Sequence, residues 1–118
     1  MVPKIFESEY RFCEILWENE PVSSSELAKL CNERLEWKKS TTYTVIKRLT
    51  ERGVIKSENA IVTSLVSREE VQAQESADIV EKSFDGSLPA FIAAFTKRKN
   101  LSSQEIEEIQ QIIDRYKE

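Results

Sequence analysis

Hydrophobic and polar positions follow a helical period over most of the chain. From Glu7 to Glu18, Tyr10, Phe12, Cys13, Ile15, Leu16 and Trp17 cover a wide arc and leave Arg11, Glu14 and Glu18 on a narrow wet strip. That pattern predicts a first helix over 7–18 packed on more than one side. Asn19 to Pro21 break it. Val22 to Ser25 supply a short strand and then open a second helix, because Ser23 and Glu26 have capping-box spacing and Val22 and Leu27 have staple spacing. This helix runs to about Leu35 on an inward stripe of Leu27, Ala28, Leu30, Cys31 and Leu35. Trp37, in the turn that follows, reads either as a core plug or as a platform that stacks on a base or sugar.

A third helix is predicted over 40–52. At about 100° per residue, Thr42, Val45, Ile46 and Leu49 fall on one side, while Ser40, Tyr43, Thr44, Lys47, Arg48 and Glu51 fall on the other. Gly53 ends it, since glycine tolerates the left-handed conformation at a helix C-terminus. The period then switches to two, with β-branched residues at Val54–Ser57 and Ile61–Val66 around Glu58, Asn59 and Ala60, which predicts a hairpin. Three helices followed by a hairpin is the order of a winged helix-turn-helix module. The tip of this wing carries a glutamate rather than cations.

Ser67 and Glu70 repeat the capping box, and a connecting helix extends to about Phe84. Ser87 caps the next helix, in which Leu88, Phe91, Ile92 and Phe95 share a stripe. Ser102 and Glu105 open the last, with Ile106, Ile109, Ile112, Ile113 and Tyr116. Two short helices with no third large partner would leave these stripes as an exposed apolar patch, and burial against a second copy is the simplest remedy. The alternative is that they fold back on the winged module. The fold class is therefore mainly α: a winged helix-turn-helix over 1–66, then a helical dimerisation region over 67–118. Lys97, Arg98 and Lys99 suit the negative pole of their helix or form a second phosphate-binding patch.

Composition changes this picture in one respect. The 118-residue chain has a net charge of minus four. Residues 34–56 nonetheless hold seven Lys or Arg (34, 38, 39, 47, 48, 52 and 56) against Glu36 and Glu51, a local plus five that leaves minus nine elsewhere. Hydroxyls and cations on one face of a short helix suit phosphate oxygens and base edges, which present mainly acceptors and negative potential. Double-stranded DNA is thus the expected partner and the third helix the expected reader. Histidine is absent, which excludes His-based triads and zinc sites. Serines have clear capping roles, so an enzyme is not expected, nor is a cofactor or metal. Cys13 and Cys31 form no CxxC pair and read as two buried free thiols, or as an oxidation sensor. No apolar run reaches the roughly 20 residues of a membrane helix, and a cytoplasmic location is expected.

The Glu9 to Trp17 helix ending in Ile15-Leu16-Trp17, Ser23 to Leu27, Trp37, Thr41-Thr42-Tyr43-Thr44-Val45-Ile46-Lys47-Arg48-Leu49, Arg52-Gly53-Val54-Ile55 and Leu101 to Ile109 together resemble the penicillinase-repressor family. The resemblance covers nearly the whole chain. It implies a dimeric repressor on a two-fold symmetric operator, with base reading by Thr41, Tyr43 and Thr44. Lys39, Ser40 and Arg48 would then contact phosphate or groove, and Lys38 and Lys47 complete the cationic set. Tyr43 departs from members that hold arginine there, and the wing is shorter than in the penicillinase repressors. Copper-responsive members carry a C-terminal cysteine cluster, and no cysteine follows Cys31 here. Other members are inactivated by a sensor-controlled protease. The matching bond is Ala94-Phe95, where those repressors have Asn before Phe. A winged-helix protein-interaction module that does not bind DNA is the competing reading, which the acidic wing would suit.

Overall fold

The computed structural model describes residues 2–117. Its element order is α1 (Glu7–Asn19), β1 (Val22–Ser23), α2 (Ser24–Leu35), α3 (Lys39–Glu51), β2 (Ile55–Glu58), β3 (Ile61–Ser64), α4 (Arg68–Phe84), α5 (Leu88–Arg98) and α6 (Ser103–Lys117). This is a winged helix-turn-helix followed by a helical C-terminal region. The chain divides into two compact units, one running to Glu75 and one beginning at Ser76, so the division falls within α4.

The first unit is built on a core of Phe12, Ile15, Leu16, Leu27, Cys31, Leu49, Val54, Ile55 and Val62. These come from α1, α2, α3 and the sheet, and each occupies the inward position that its period predicts. Trp37 stacks on Phe12 with ring centroids 6.3 Å apart and an interplanar angle of 7°. Of its two readings, the core plug is the one the packing supports. Trp17 has its ring edge near Tyr10 and donates from Nε1 to the Val66 carbonyl oxygen at 3.0 Å, which pins the exit of the wing to α1. Val66 and Val71, on either side of the Ser67 cap at the spacing of a hydrophobic staple, are both buried at the start of α4.

The sheet has the order β1-β3-β2, all antiparallel. Glu58 pairs with Ile61, so Asn59 and Ala60 form the two-residue tip, both with positive φ (53° and 63°). Those values are the ones a right-twisted hairpin asks of such a turn. β2 lies one residue later than its period-two run suggested and β3 ends at Ser64, two residues early, while Leu65 still donates to the Val54 carbonyl oxygen at 2.8 Å in the same register, one pair beyond the ladder. Val22 and Ser23 pair with Val62 and Ile61, which adds the third strand. Gly53 takes φ +79° with open space where a Cβ would stand. Its conformation, not crowding, is what requires glycine.

The second unit has no buried residue on α5 or α6. Phe91 contacts Phe84 edge to face at 5.5 Å and Phe95 at 6.2 Å, so three aromatic rings link the end of α4 to α5. Among the described residues no helix is long and apolar enough to cross a membrane.

Candidate nucleic-acid interface

α3 starts one residue earlier than its pattern implied. Its first turn is held by Lys38, whose carbonyl oxygen accepts from the amides of Thr41 and Thr42 at 3.0 and 3.2 Å. The buried face is Thr42, Val45, Ile46 and Leu49, and it seats the helix. The Thr42 hydroxyl is fully buried without a hydrogen-bond partner among the described residues, apart from the weak thiol of Cys31 nearby. On the outer side Lys38, Lys39, Ser40, Thr41, Tyr43, Thr44, Lys47 and Arg48 are all exposed. One short helix therefore presents every residue that the sequence nominated for DNA contact.

Two local contacts order this face. Lys39 Nζ lies 5.8 Å from the centroid of the Tyr43 ring, a cation–π approach one helical turn apart. Thr44 Oγ1 donates to the Ser40 carbonyl oxygen at 2.9 Å. With its proton so used, the Thr44 hydroxyl faces outward as an acceptor.

The seven cations of residues 34–56 do not contribute equally. Arg34 pairs with Glu18 at 2.7 Å, Lys56 with Glu58 at 3.6 Å, and Arg52 with the buried Glu9. No ion pair among the described residues involves Lys38, Lys39, Lys47 or Arg48. The positive field available to a polyanion is thus concentrated on α3 and its cap, while the wing's Lys56 is screened by its neighbour at the acidic tip.

Beside this face lies an open notch of about 300 Å³ lined by Ser25, Ala28, Lys29, Asn32 and Lys39. It adjoins the start of α3, where no side chain caps the helix and the dipole is positive. Ser25, Lys29 and Asn32 were not among the sequence candidates. Their spacing of four and three on the polar face of α2 was the signal that could have found them.

In the second unit, Leu88, Ile92, Phe95, Ile106, Ile109, Ile112, Ile113 and Tyr116 are exposed, Tyr116 to 92 %. Phe91 differs from the rest of that nominated set. It is half-buried between Phe84 and Phe95 and lines an apolar cavity of about 360 Å³ with Ala77, Ile79, Val80 and Leu88. Ile79, exposed on α4, adds to the apolar surface and was not anticipated. Ala94 and Phe95 are both exposed, but their peptide bond sits inside the regular α5 helix.

Cys13 and Cys31 are buried. Burial, with Glu9 close by, pushes the Cys13 thiol up to about 12, and burial raises Cys31 as well. Thiols held protonated in a core are inert, which favours the structural reading over the oxidation sensor. Among the described residues no group of three or more Cys, Asp or Glu is arranged to hold a metal ion.

The sequence profile of the penicillinase repressor family matches residues 5–115. The chain belongs to the penicillinase repressor family. It is 27% identical to the methicillin resistance regulatory protein MecI of Staphylococcus aureus over 116 residues, 95% of this chain and 94% of that protein. It is 21% identical to the penicillinase repressor of Bacillus licheniformis over 120 residues, 98% and 94% of the two chains. The penicillinase repressor of Staphylococcus aureus matches at 25% over 111 residues, 91% and 88%. The penicillinase repressor family is one of transcriptional repressors, not enzymes, and its profile spans both units described above.

Proposed function

We propose that the chain is a homodimeric, sequence-specific repressor in the cytoplasm that binds a palindromic duplex operator through α3. The first unit binds DNA and the second dimerises. The observation that carries this reading is the single face of α3 and its cap with four cations outside any ion pair among the described residues, three hydroxyls and Tyr43. Lys38, Lys39, Lys47 and Arg48 supply phosphate contacts and salt-dependent affinity, with Ser40 beside them. Thr41, Tyr43 and Thr44 read base edges in the major groove. Lys29 and Ser25, across the notch from Lys39, extend the phosphate track along the neighbouring strand.

Dimerisation follows from the uncovered stripes of α5 and α6. An apolar surface of this extent on a polar chain calls for a partner, and a two-fold pair of modules matches a palindromic site. Induction by a sensor-controlled protease at Ala94-Phe95 would cut within α5 and separate its exposed Phe95 from Leu88 and Ile92. The helix must unwind locally to enter a protease, so cleavage should be slow without one that also binds the dimer.

Selection of bound sequences from a random duplex pool tests the whole reading. Recovery of a two-fold symmetric motif is expected. No enrichment from the pool, together with no salt-dependent affinity for random duplex, would instead favour the protein-interaction module that the acidic wing suits.

A further inference from the structure

We propose that Glu9 and Arg52 are positioning residues for DNA recognition, a buried clasp that fixes the C-terminal end of α3 against α1 and the segment before it. The inference rests on the DNA-binding reading above. Among the described residues Glu9 is the one buried charged side chain, 3 % exposed. Both of its carboxylate oxygens are engaged. Oε1 accepts from the Phe6 amide at 2.9 Å, which holds the start of α1, and Oε2 pairs with Arg52 Nη2. Arg52 is the residue that caps α3. Its other terminal nitrogen, Nη1, donates to the Lys4 carbonyl oxygen at 2.8 Å, and its guanidinium lies 5.5 Å from the centre of the Phe6 ring. Lys4 Nζ lies 4.9 Å from the same ring.

Two stretches distant in sequence, Lys4 to Glu9 and the end of α3, therefore meet on one planar fork. A guanidinium holds direction as well as distance, which an apolar contact does not. Buried ion pairs add little net stability relative to well-packed apolar residues, so orientation is the property that such a pair supplies best. The oriented object here is the recognition helix. Arg48, one turn before Arg52 and on the side proposed to face DNA, adds to the positive field at the same carboxylate. Arg52 itself, engaged with Glu9 and Lys4, is not a phosphate ligand.

The test uses the full chain and compares wild type with Phe6→Ala and with the double variant Glu9→Gln, Arg52→Met. The double change leaves net charge unaltered and strands no buried charge. Affinity for a selected operator and for a random duplex of equal length is titrated against salt, at a temperature where helical signal shows each variant folded. The double variant should lose about tenfold in operator affinity, the scale of one displaced base contact, with random-duplex affinity and salt slope unchanged. Phe6→Ala, at an exposed position, should lose less in the same direction and serves if the double variant does not fold. Unchanged operator affinity in the folded variants overturns the proposal. An equal loss on both duplexes with a flatter slope also overturns it, by making Arg52 a phosphate contact. If wild type shows no salt-dependent binding to random duplex, the DNA reading itself fails, whatever the variants do.

Discussion

The Thr44 hydroxyl gives its one proton to the Ser40 carbonyl oxygen, 2.9 Å away. What remains outward is a lone-pair face and a methyl group. Phosphate oxygens, guanine O6 and N7 and thymine O4 are acceptors, so the groups Thr44 can bond are the amino groups of adenine or cytosine. Thr44→Val keeps the shape and removes the acceptor. Operator affinity should fall about fivefold, near 1 kcal/mol, with no change in salt slope. Thr44→Ser should bind nearly as wild type. Titrations with an operator whose contacted amino group is replaced by hydrogen complete the check, since that loss should not add to the valine loss.

Charge removal on α3 should behave differently from charge removal elsewhere in the basic stretch. Arg48→Ala should weaken binding to operator and random duplex alike and lower the salt slope by about one per protomer. Arg34→Ala should change the slope little, because Glu18 already holds the Arg34 guanidinium at 2.7 Å. Equal slopes for the two variants in a salt series would contradict the assignment of phosphate contacts to α3.

The Glu9 carboxyl sets an acid limit on stability. Burial alone would raise its pKa, but the Arg52 hydrogen bond, the Phe6 amide and the fields of Arg52 and Arg48 outweigh burial and bring it below the ordinary 4.5. A folded-state pKa below the unfolded value means stability that is fully present above about 4.5 and is lost as pH falls through the lower folded value. Urea midpoints should therefore be flat in this contribution from neutral pH to about 5 and decline below that. Glu9→Gln should show a shallower acid decline than wild type. Arg52→Ala, which leaves a buried carboxylate without its partner, should destabilise by about 3 kcal/mol at neutral pH.

Much of this architecture was legible because its signals are local. The Ser67–Glu70 and Ser102–Glu105 boxes form both reciprocal bonds, at 3.0 to 3.1 Å, and Ser23 and Ser87 each accept from the amide three residues on. The two faces of α3 follow from its period alone. The pairing of cations was not legible. Arg34 meets Glu18 and Arg52 meets Glu9 across 16 and 43 positions, and no local pattern reports that. Glu9 is the clearest case, since a glutamate in a first turn ordinarily faces water and serves the helix dipole. Phe91 shares its stripe with Leu88, Ile92 and Phe95 by wheel position, which does not tell which ring turns toward Phe84. The pairing of β1 with β3 was similarly hidden, two residues being too few for a period.

The apolar stripe of α6 gives the dimer its test. Ile106, Ile109 and Ile113 recur at three and four positions, the spacing of a seam between helices, and all are exposed in the protomer. Ile109 is exposed to 37 %, the least of the α6 isoleucines, and lies in the middle of the row. Ile109→Asp would place a charge where a second copy should cover it, at a desolvation penalty of several kcal/mol. Sedimentation at micromolar concentration should give a dimer for wild type and a monomer for the variant, with helical signal retained, since Ile109 is not part of a buried core. Operator affinity should fall by well over tenfold through loss of the second half-site, whereas random-duplex binding per protomer should change little. A monomeric wild type, or a variant that remains dimeric, would assign these stripes to another role and leave each winged module to read DNA alone.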